Sequence, residues 1–121
     1  MLLEKPHKKL DVWKKSIDLV EQIYKLTQRF PKTEEFGLIN QMRRSASSIP
    51  ANIAEGAARQ TKKEFIQFLH IAQGSLSELD THIEVSLKLG YIKADSTEEL
   101  SPGMNQIDKM LTGLIKSLKK E

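Results

Sequence analysis

Residues 61–90 decide the fold of this chain, and they read TKKEFIQFLHIAQGSLSELDTHIEVSLKLG. Thr61 and Glu64 have the spacing of a capping box, in which each side chain satisfies a free backbone amide at a helix start. Gly90 adopts the left-handed conformation of a helix end without steric penalty. Between them the apolar residues alternate steps of four and three: Phe65, Leu69, Ala72, Leu76, Leu79 and Ile83. This spacing predicts one apolar face along a single helix of about residues 62–89.

The same alternation predicts a helix in each of two earlier stretches. The first helix covers about residues 11–29, with Asp11 as its N-cap, and Pro31 prevents its continuation. The second covers about residues 34–59 and contains Pro50, which removes one backbone hydrogen bond at a cost of about 3 kcal/mol. Because the apolar spacing runs through this proline unchanged, we expect a helix kinked at Pro50, with a break into two shorter helices as the alternative.

A fourth helix is predicted over about residues 97–119. It starts either at a second capping box, Ser96 with Glu99, or at Ser101-Pro102, where proline would occupy the first helical position. No stretch alternates Val, Ile or aromatic residues with polar ones as a strand requires. Short connections force neighbouring helices to run antiparallel, and steps of three and four are typical of helices packed side by side. We therefore predict an all-α fold, an antiparallel up-down-up-down four-helix bundle.

The composition is that of one soluble domain. The chain has 121 residues, of which 39% are hydrophobic and 29% charged, and it contains no cysteine, which excludes disulfides and thiolate chemistry. We predict a single domain over residues 1–121, with residues 1–9 as a flexible basic arm. No apolar run reaches the roughly 18 residues of a membrane span. The first residues do not resemble a signal peptide, so a cytoplasmic location without membrane contact is expected.

The basic residues are concentrated near the start of the sequence. The net charge is +3, and residues 1–32 hold eight Lys/Arg against four Asp/Glu. A basic segment suits a polyanionic partner, because neutralising phosphates releases condensed counterions. A surplus of this size also occurs on ordinary solvated surfaces. The lysines that would contact a nucleic acid are Lys8, Lys9, Lys14 and Lys15.

No group of residues in the sequence is typical of an active site. His82 and Glu78 lie four residues apart on one helix face, but without an HExxH or paired ExxH pattern a surface pair is favoured over a metal site. There is no glycine-rich phosphate loop and no nucleophile elbow. No histidine lies near Ser45, Ser47 and Ser48 in the sequence to act as a base. We therefore expect no catalysis, no cofactor, no metal and no small-molecule substrate.

A polar stripe on the second helix is the strongest candidate for a binding surface. Its members step by four, four, three and four, and they share a face roughly opposite the core stripe Ile39–Ile53: Arg44, Ser48, Asn52, Glu55 and Arg59. Three interpretations are open. The stripe is solvated, with Glu55 paired to Arg59; it packs against another copy of the chain; or it contacts nucleic acid, with Arg43 or Arg44 on phosphate.

The predicted helices carry more apolar surface than a small bundle buries. The first helix has two adjacent apolar stripes, which form a face too wide for one partner helix. The excess residues are Trp13, Ile17, Val20 and Tyr24 on the first helix and Phe68, Ile71 and Leu87 on the third. Exposed apolar surface of this kind usually marks an interface, so self-association is expected.

Several of these segments carry a family resemblance. Residues 10–14, 35–38 and 41–46, and most specifically SIPANIAEG at residues 48–56, are similar to the four-helix-bundle family of 23S ribosomal RNA intervening-sequence proteins. The resemblance covers about residues 8–118. It implies a short helical bundle whose relatives are in some cases encoded within intervening sequences of large-subunit ribosomal RNA genes.

The resemblance also implies partners. Members of the family resemble the accessory variability protein of diversity-generating retroelements, a pentameric basic bundle that binds nucleic acid and a reverse transcriptase. By that analogy the chain forms a homopentamer and binds RNA or DNA. The function expected is a non-enzymatic oligomeric bundle that binds ribosomal or other structured RNA through basic residues. A protein-interaction scaffold with no nucleic-acid role is the alternative.

Overall fold

Four α-helices form the fold in the computed structural model, which describes residues 2–120. The helices are α1 (Asp11–Thr27), α2 (Asn40–Ala57), α3 (Lys62–Lys88) and α4 (Ala94–Lys119). A 3₁₀ turn, Pro6–Lys9, precedes α1, and a 3₁₀ turn and a π-helical turn, Lys32–Glu34 and Glu35–Ile39, precede α2. No residue from 2 to 120 lies in a β-strand, so the predicted all-α bundle of four helices is confirmed. None of the helices in this part of the chain is long and apolar enough to cross a membrane.

The core lies between the four helices, each of which contributes one apolar stripe. α1 packs against α2 and α4, and α3 also packs against α2 and α4, so each helix has two main neighbours. Burial of one aliphatic side chain contributes about 1.5–3 kcal/mol, which makes this core the main stabilising element. The large side chains that are fully buried include Leu19, Ile23, Met42, Ile49, Ile53, Leu69, Leu79, Ile107 and Leu111.

α3 is capped at both ends. Thr61 is its N-cap, and the Thr61 hydroxyl accepts from the Glu64 amide at 3.2 Å and donates to the Glu64 carboxylate at 2.9 Å. At the other end Gly90 has a φ of 80°. The Tyr91 amide donates back to the Ser86 carbonyl at 2.9 Å. This bond belongs to a Schellman motif, which satisfies carbonyls that the last helical turn leaves free.

α4 begins earlier than its sequence suggests. It starts at Ala94 with Lys93 as the N-cap, so both predicted starts, at Ser96 and at Ser101-Pro102, are wrong. Ile92 is only 7% exposed and docks the connection on the core just after α3 ends. Because the chain is already in place at that residue, the helix can begin before the capping signals appear in the sequence.

The region before α2 departs from a regular helix. Gly37 has φ −106° and ψ −113° inside the π-helical turn, and the α-helix begins only at Asn40, six residues after the predicted start. The Glu34 carboxylate accepts a hydrogen bond from the Leu38 amide at 3.2 Å. A Cβ on Gly37 would lie 2.6 Å from the same Glu34 carboxylate oxygen. The carboxylate therefore caps the helix in space that a side chain at residue 37 would fill.

α1 and α2 differ from their predicted forms in smaller ways. Leu10 is the N-cap of α1, whereas Asp11, predicted as the cap, is the first helical residue. A carboxylate in the first turn still stabilises the positive end of the helix dipole. α2 continues through the buried Pro50 without a break, so the alternative of two shorter helices is wrong. The kink at this proline stays a prediction.

Candidate functional site

The predicted polar stripe of α2 is not opposite the core but runs along the seam between α2 and α3. Ser48 and Asn52 are half-buried. The Ser48 hydroxyl lies 2.8 Å from the Ser75 hydroxyl of α3, and the Asn52 amide donates to the Ser48 carbonyl and hydroxyl, each at 2.8 Å. The centre of the stripe therefore joins two helices. On α2 these residues face the neighbouring helix, α3. The sequence pattern gives their angle around α2 but does not give the position of α3.

The last two residues of the stripe form surface ion pairs. Arg59 lies 3.6 Å from Glu55 and 3.9 Å from Glu64, and its guanidinium is 4.8 Å from the centre of the Phe68 ring. Exposed ion pairs contribute at most about 1 kcal/mol. The Glu55–Arg59 pair is the one that the solvated interpretation of the stripe requires.

Arg43 and Arg44 are neighbours in sequence but occupy different environments. The Arg43 Nε donates to the Thr27 hydroxyl at 2.9 Å, and its Nη2 donates to the Tyr24 carbonyl at 3.3 Å. The same guanidinium lies 4.4 Å from the centre of the Tyr24 ring. A cation in this position stabilises the C-terminal end of α1, so Arg43 is held in a structural contact. Arg44 is exposed beside a shallow polar pocket that Ser48 also lines.

Gly56 lets α2 approach α3 closely. A Cβ at this position would lie 2.8 Å from the Phe68 Cβ and 2.9 Å from the Phe65 Cδ1. Real Cβ atoms are not found so close to such neighbours, so the glycine is needed for the packing distance. The sequence alone shows only a glycine inside a helix, whereas the structure shows that the close packing of α2 on α3 requires it.

An apolar face remains exposed along α1 and α2. Ile17 is 42% exposed, and a shallow groove of about 360 Å³ runs past it between the two helices. The second apolar stripe of α1 predicted from the sequence supplies one wall, whereas small residues of α2 that the core pattern did not mark supply the other. We call this surface the α1–α2 apolar face and define it by Trp13, Ile17, Val20, Pro50, Ala51 and Ala54.

The excess apolar residues predicted on α3 are mostly covered. Phe68 and Leu87 are half-buried, and Leu87 packs against the core. Ile71 is 49% exposed. Exposed apolar side chains therefore remain on both α1 and α3, and on α1 they lie beside the groove that α1 forms with α2.

The four predicted lysines lie at the start of the fold. Lys8 and Lys9 are in the 3₁₀ turn before α1, and this turn contacts both α1 and α2. Lys9 and Lys14 are exposed, whereas Lys8 and Lys15 are half-buried. Within residues 2–120 none of the four makes an ion pair with a carboxylate. Their charges are available to an anionic partner.

Titratable groups elsewhere form isolated pairs. His82 lies 3.4 Å from the Glu78 carboxylate, whose side chain is 59% exposed. The Tyr91 hydroxyl donates to the Glu34 carboxylate at 2.9 Å, and this hydrogen bond is the main cause of a raised Tyr91 pKa. Among residues 2–120 no group of three or more His, Asp or Glu side chains is placed to hold a metal ion.

Comparison with known proteins places this geometry in a family. Residues 8–113 match the family of 23S rRNA-intervening sequence proteins. The chain belongs to this family. It is also similar to the crystal structure of a protein of unknown function from the S23 ribosomal protein family of Bacteroides thetaiotaomicron VPI-5482, with 30% identity and a TM-score of 0.77. That similarity covers 87% of this chain and 98% of the other.

The family resemblance predicted from the sequence is thereby confirmed. No curated protein matches the chain. The similarity to the accessory variability protein stays a prediction.

In this member of the family, the segment SIPANIAEG contributes to two sides of α2. Ser48 and Asn52 face α3, Pro50 and Ala54 line the α1–α2 apolar face, and Gly56 sets the distance to α3. The most specific segment of the resemblance therefore holds α2 in the bundle and shapes an exposed surface.

Proposed function

We propose that the protein is one subunit of a cytoplasmic homo-oligomer of helical bundles that binds structured RNA and catalyses no reaction. The observation that carries this proposal is the α1–α2 apolar face. Five subunits are expected from the resemblance to pentameric bundles.

Self-association would cover apolar side chains that the α1–α2 apolar face exposes to water in a single subunit. A half-exposed isoleucine beside Trp13 and Val20 forms a contiguous apolar strip, and such strips are usually covered by a partner. A second copy is a suitable partner because closed symmetric assemblies are the common state of self-associating proteins. The Glu21–Lys25 ion pair, with 3.8 Å between its charged atoms, is largely exposed on α1 and is not among the residues that line the groove.

RNA binding is supported by charge. The basic segment that opens the chain carries lysines without carboxylate partners in the described part of the protein. Repetition of this segment around an oligomer multiplies its local potential, so that a modest charge per chain becomes a strong polyanion site. The family name refers to intervening sequences of 23S rRNA, which makes structured ribosomal RNA the first ligand to test.

The test of self-association compares two variants of α1. Ile17→Glu places a charge in the centre of the apolar face, whereas Gln22→Glu adds the same charge at an exposed polar position of the same helix. Burying an unpaired carboxylate costs several kcal/mol, and each 1.4 kcal/mol is about tenfold in affinity. Light scattering at micromolar concentration should show an oligomer for the wild type and Gln22→Glu and a smaller species for Ile17→Glu. A monomeric wild-type protein contradicts the proposal.

RNA binding is tested by gel shift with a structured RNA fragment at increasing salt. The affinity should fall steeply with salt, because counterion release drives the binding. A wild-type oligomer that does not bind RNA even at low salt would favour the scaffold alternative, in which the apolar face alone is functional.

A further inference from the structure

Contacts between helices bring distant parts of the chain to one end of the bundle. The turn Pro6–Lys9 contacts α2, and Trp13 and Ala54 line the same groove, so the start of α1 lies beside the end of α2. Arg59 follows α2 and lies 3.9 Å from Glu64 in the first turn of α3. The start of α3 therefore belongs to the same end.

The last part of α4 reaches this end as well. Gln73 of α3 donates to the Thr112 hydroxyl of α4 at 3.0 Å, whereas farther along α3 Glu84 and Thr97 line one groove. Later residues of α3 thus face earlier residues of α4. From Thr112, α4 continues toward the start of α3 and reaches Lys119 about 10 Å farther on, at 1.5 Å per residue.

Charge is divided unequally between the two ends. The segments just described, residues 2–18, 51–72 and 109–120, hold twelve Lys/Arg against five Asp/Glu, and we call them the basic end. The other described residues, 19–50 and 73–108, hold seven Lys/Arg against ten Asp/Glu, and we call them the acidic end. The net charge is therefore +7 at the basic end and −3 at the acidic end, and Glu121, which lies outside the described residues, carries the one further negative charge. A chain whose formal net charge is only +3 therefore has a strong charge asymmetry along its axis.

The cations that α4 adds to the basic end are accessible. Lys116, Lys119 and Lys120 are exposed, and within residues 2–120 none of them pairs with a carboxylate. They lie in or just after the last turn of α4, where the helix dipole favours positive charge. Lys63, at the start of α3, is exposed in the same way.

We infer that the basic end is the surface on which RNA phosphates dock, and that Lys116, Lys119 and Lys120 belong to it. The inference rests on the proposed RNA binding and names its site. Phosphate contacts gain affinity from counterion release in proportion to the cations that meet the backbone. The acidic end repels the same backbone, so the asymmetry also orients the bundle on the RNA.

This site divides the residues that the sequence predicts. Lys8, Lys9, Lys14 and Lys15 lie at the basic end and stay in the site. Arg43 and Arg44 lie at the acidic end, near the end of α1 that Arg43 contacts, and fall outside it.

The experiment compares two triple variants with the same loss of charge. The first replaces Lys116, Lys119 and Lys120 by Gln at the basic end. The matched control replaces exposed lysines that lie at the acidic end and make no ion pair with a carboxylate within residues 2–120: Lys32, Lys88 and Lys93. Circular dichroism and light scattering check that both variants keep the fold and the oligomeric state.

Fluorescence anisotropy with a labelled RNA hairpin gives the affinity of each protein over a range of salt. The basic-end variant should bind at least about tenfold more weakly at low salt, and its log–log salt slope should be smaller by about 2. The acidic-end control should keep the wild-type slope within about 1. Equal weakening of both variants overturns the site but leaves RNA binding intact, whereas a wild type that does not bind at any salt overturns the proposed function itself.

A third arm uses polyglutamate in place of RNA. Preference for RNA over polyglutamate at equal charge concentration is the expected result. Tighter binding of polyglutamate would indicate an acidic protein partner and would overturn the inference.

Discussion

Replacing Gly56 by alanine has two opposing effects on the stability of the fold. In an open helix interior, alanine is more favourable than glycine by about 0.8–1.0 kcal/mol, because the unfolded glycine has more conformational freedom to lose. At Gly56 the new Cβ would lie 2.8 Å from the Phe68 Cβ and 2.9 Å from the Phe65 Cδ1. The nearer contact is the stem of a side chain on a packed helix and not a flexible end, so α2 and α3 have to move apart.

The magnitude follows from the balance of these effects. Overpacking of a filled interface costs about 1–3 kcal/mol, and the separation also strains the neighbouring Ser48–Ser75 hydrogen bond. After the propensity gain is deducted, we expect Gly56→Ala to lower the free energy of unfolding by up to about 2 kcal/mol. For a chain of this size, about 2 kcal/mol corresponds to a decrease in melting temperature of about 8 °C.

Gly74 provides the matched control, because it lies in the interior of α3 with nothing within 4 Å of its Cβ position. Gly74→Ala should raise the free energy of unfolding by about 0.5–1 kcal/mol. Urea denaturation of the wild type and both variants, at one protein concentration, measures the two changes. Stabilisation of the same size at both positions would refute the close approach of α2 and α3 at Gly56.

Three further contacts each lead to a prediction that one kind of measurement can test. In a double-mutant cycle, Ser48→Ala and Ser75→Ala should show a coupling energy of about 0.5–1.5 kcal/mol in urea denaturation, and additive effects would contradict the hydrogen bond across the seam. Arg43→Gln should destabilise the fold by about 1–2 kcal/mol through the loss of its contacts at the end of α1, yet leave RNA affinity within about twofold, as the gel shift would show. The raised pKa of Tyr91 means that its contact with Glu34 stabilises the fold fully below pH 10.0 and is lost as the pH rises through the higher folded-state pKa. Denaturation curves should therefore show stability falling above pH 10.0, and Tyr91→Phe should lack this part of the decline.

The sequence predicts those features that depend on local spacing. The α3 helix shows this best, since the N-cap at Thr61, a glycine at residue 90 and the apolar stripe between them each act within a few residues. The start of α4 was predicted wrongly for the opposite reason. Its serine signals are local, but the actual start depends on Ile92, which docks against residues far away in the chain.

The candidate site was harder to predict than the fold because its surfaces combine separate helices. The α1 wall of the apolar face could be identified as a surplus stripe, but Pro50 and Ala54 were not recognised as its other wall. The polar stripe was assigned to the wrong side because helical periodicity gives angles around one helix and not the position of its neighbour. Ser48 shows the consequence, since its hydroxyl contacts the Ser75 hydroxyl of α3.

The basic end could not be recognised from any window of the sequence. Its lysines come from three segments that are separated by more than thirty residues, and each segment alone has an ordinary charge. Lys116, Lys119 and Lys120 were not predicted for this reason, although they lie at the same end as the residues of the basic arm. The signal that would have found them is the antiparallel pairing of helices combined with a charge count for each half-helix.

The apolar face and the basic end overlap in part, because Trp13, Ile17, Ala51 and Ala54 belong to both. The lysines that α4 adds to the basic end are not part of the apolar face, so association through that face leaves Lys116, Lys119 and Lys120 free. A head-to-tail interface that closes into a ring relates its subunits by rotation about one axis. If that axis runs along the helices, every basic end lies on the same side of the ring and every acidic end on the other. The RNA then meets a single surface on which the charge of one basic end is repeated once per subunit, which increases the effective concentration of lysines without any new contact.

A two-fold interface between antiparallel bundles would instead place basic ends on opposite sides and divide the site. The dependence of RNA affinity on an uncharged polar substitution, Ile17→Asn, distinguishes the two arrangements, because it adds no negative charge to the basic end and only the ring loses most of its affinity when it is taken apart.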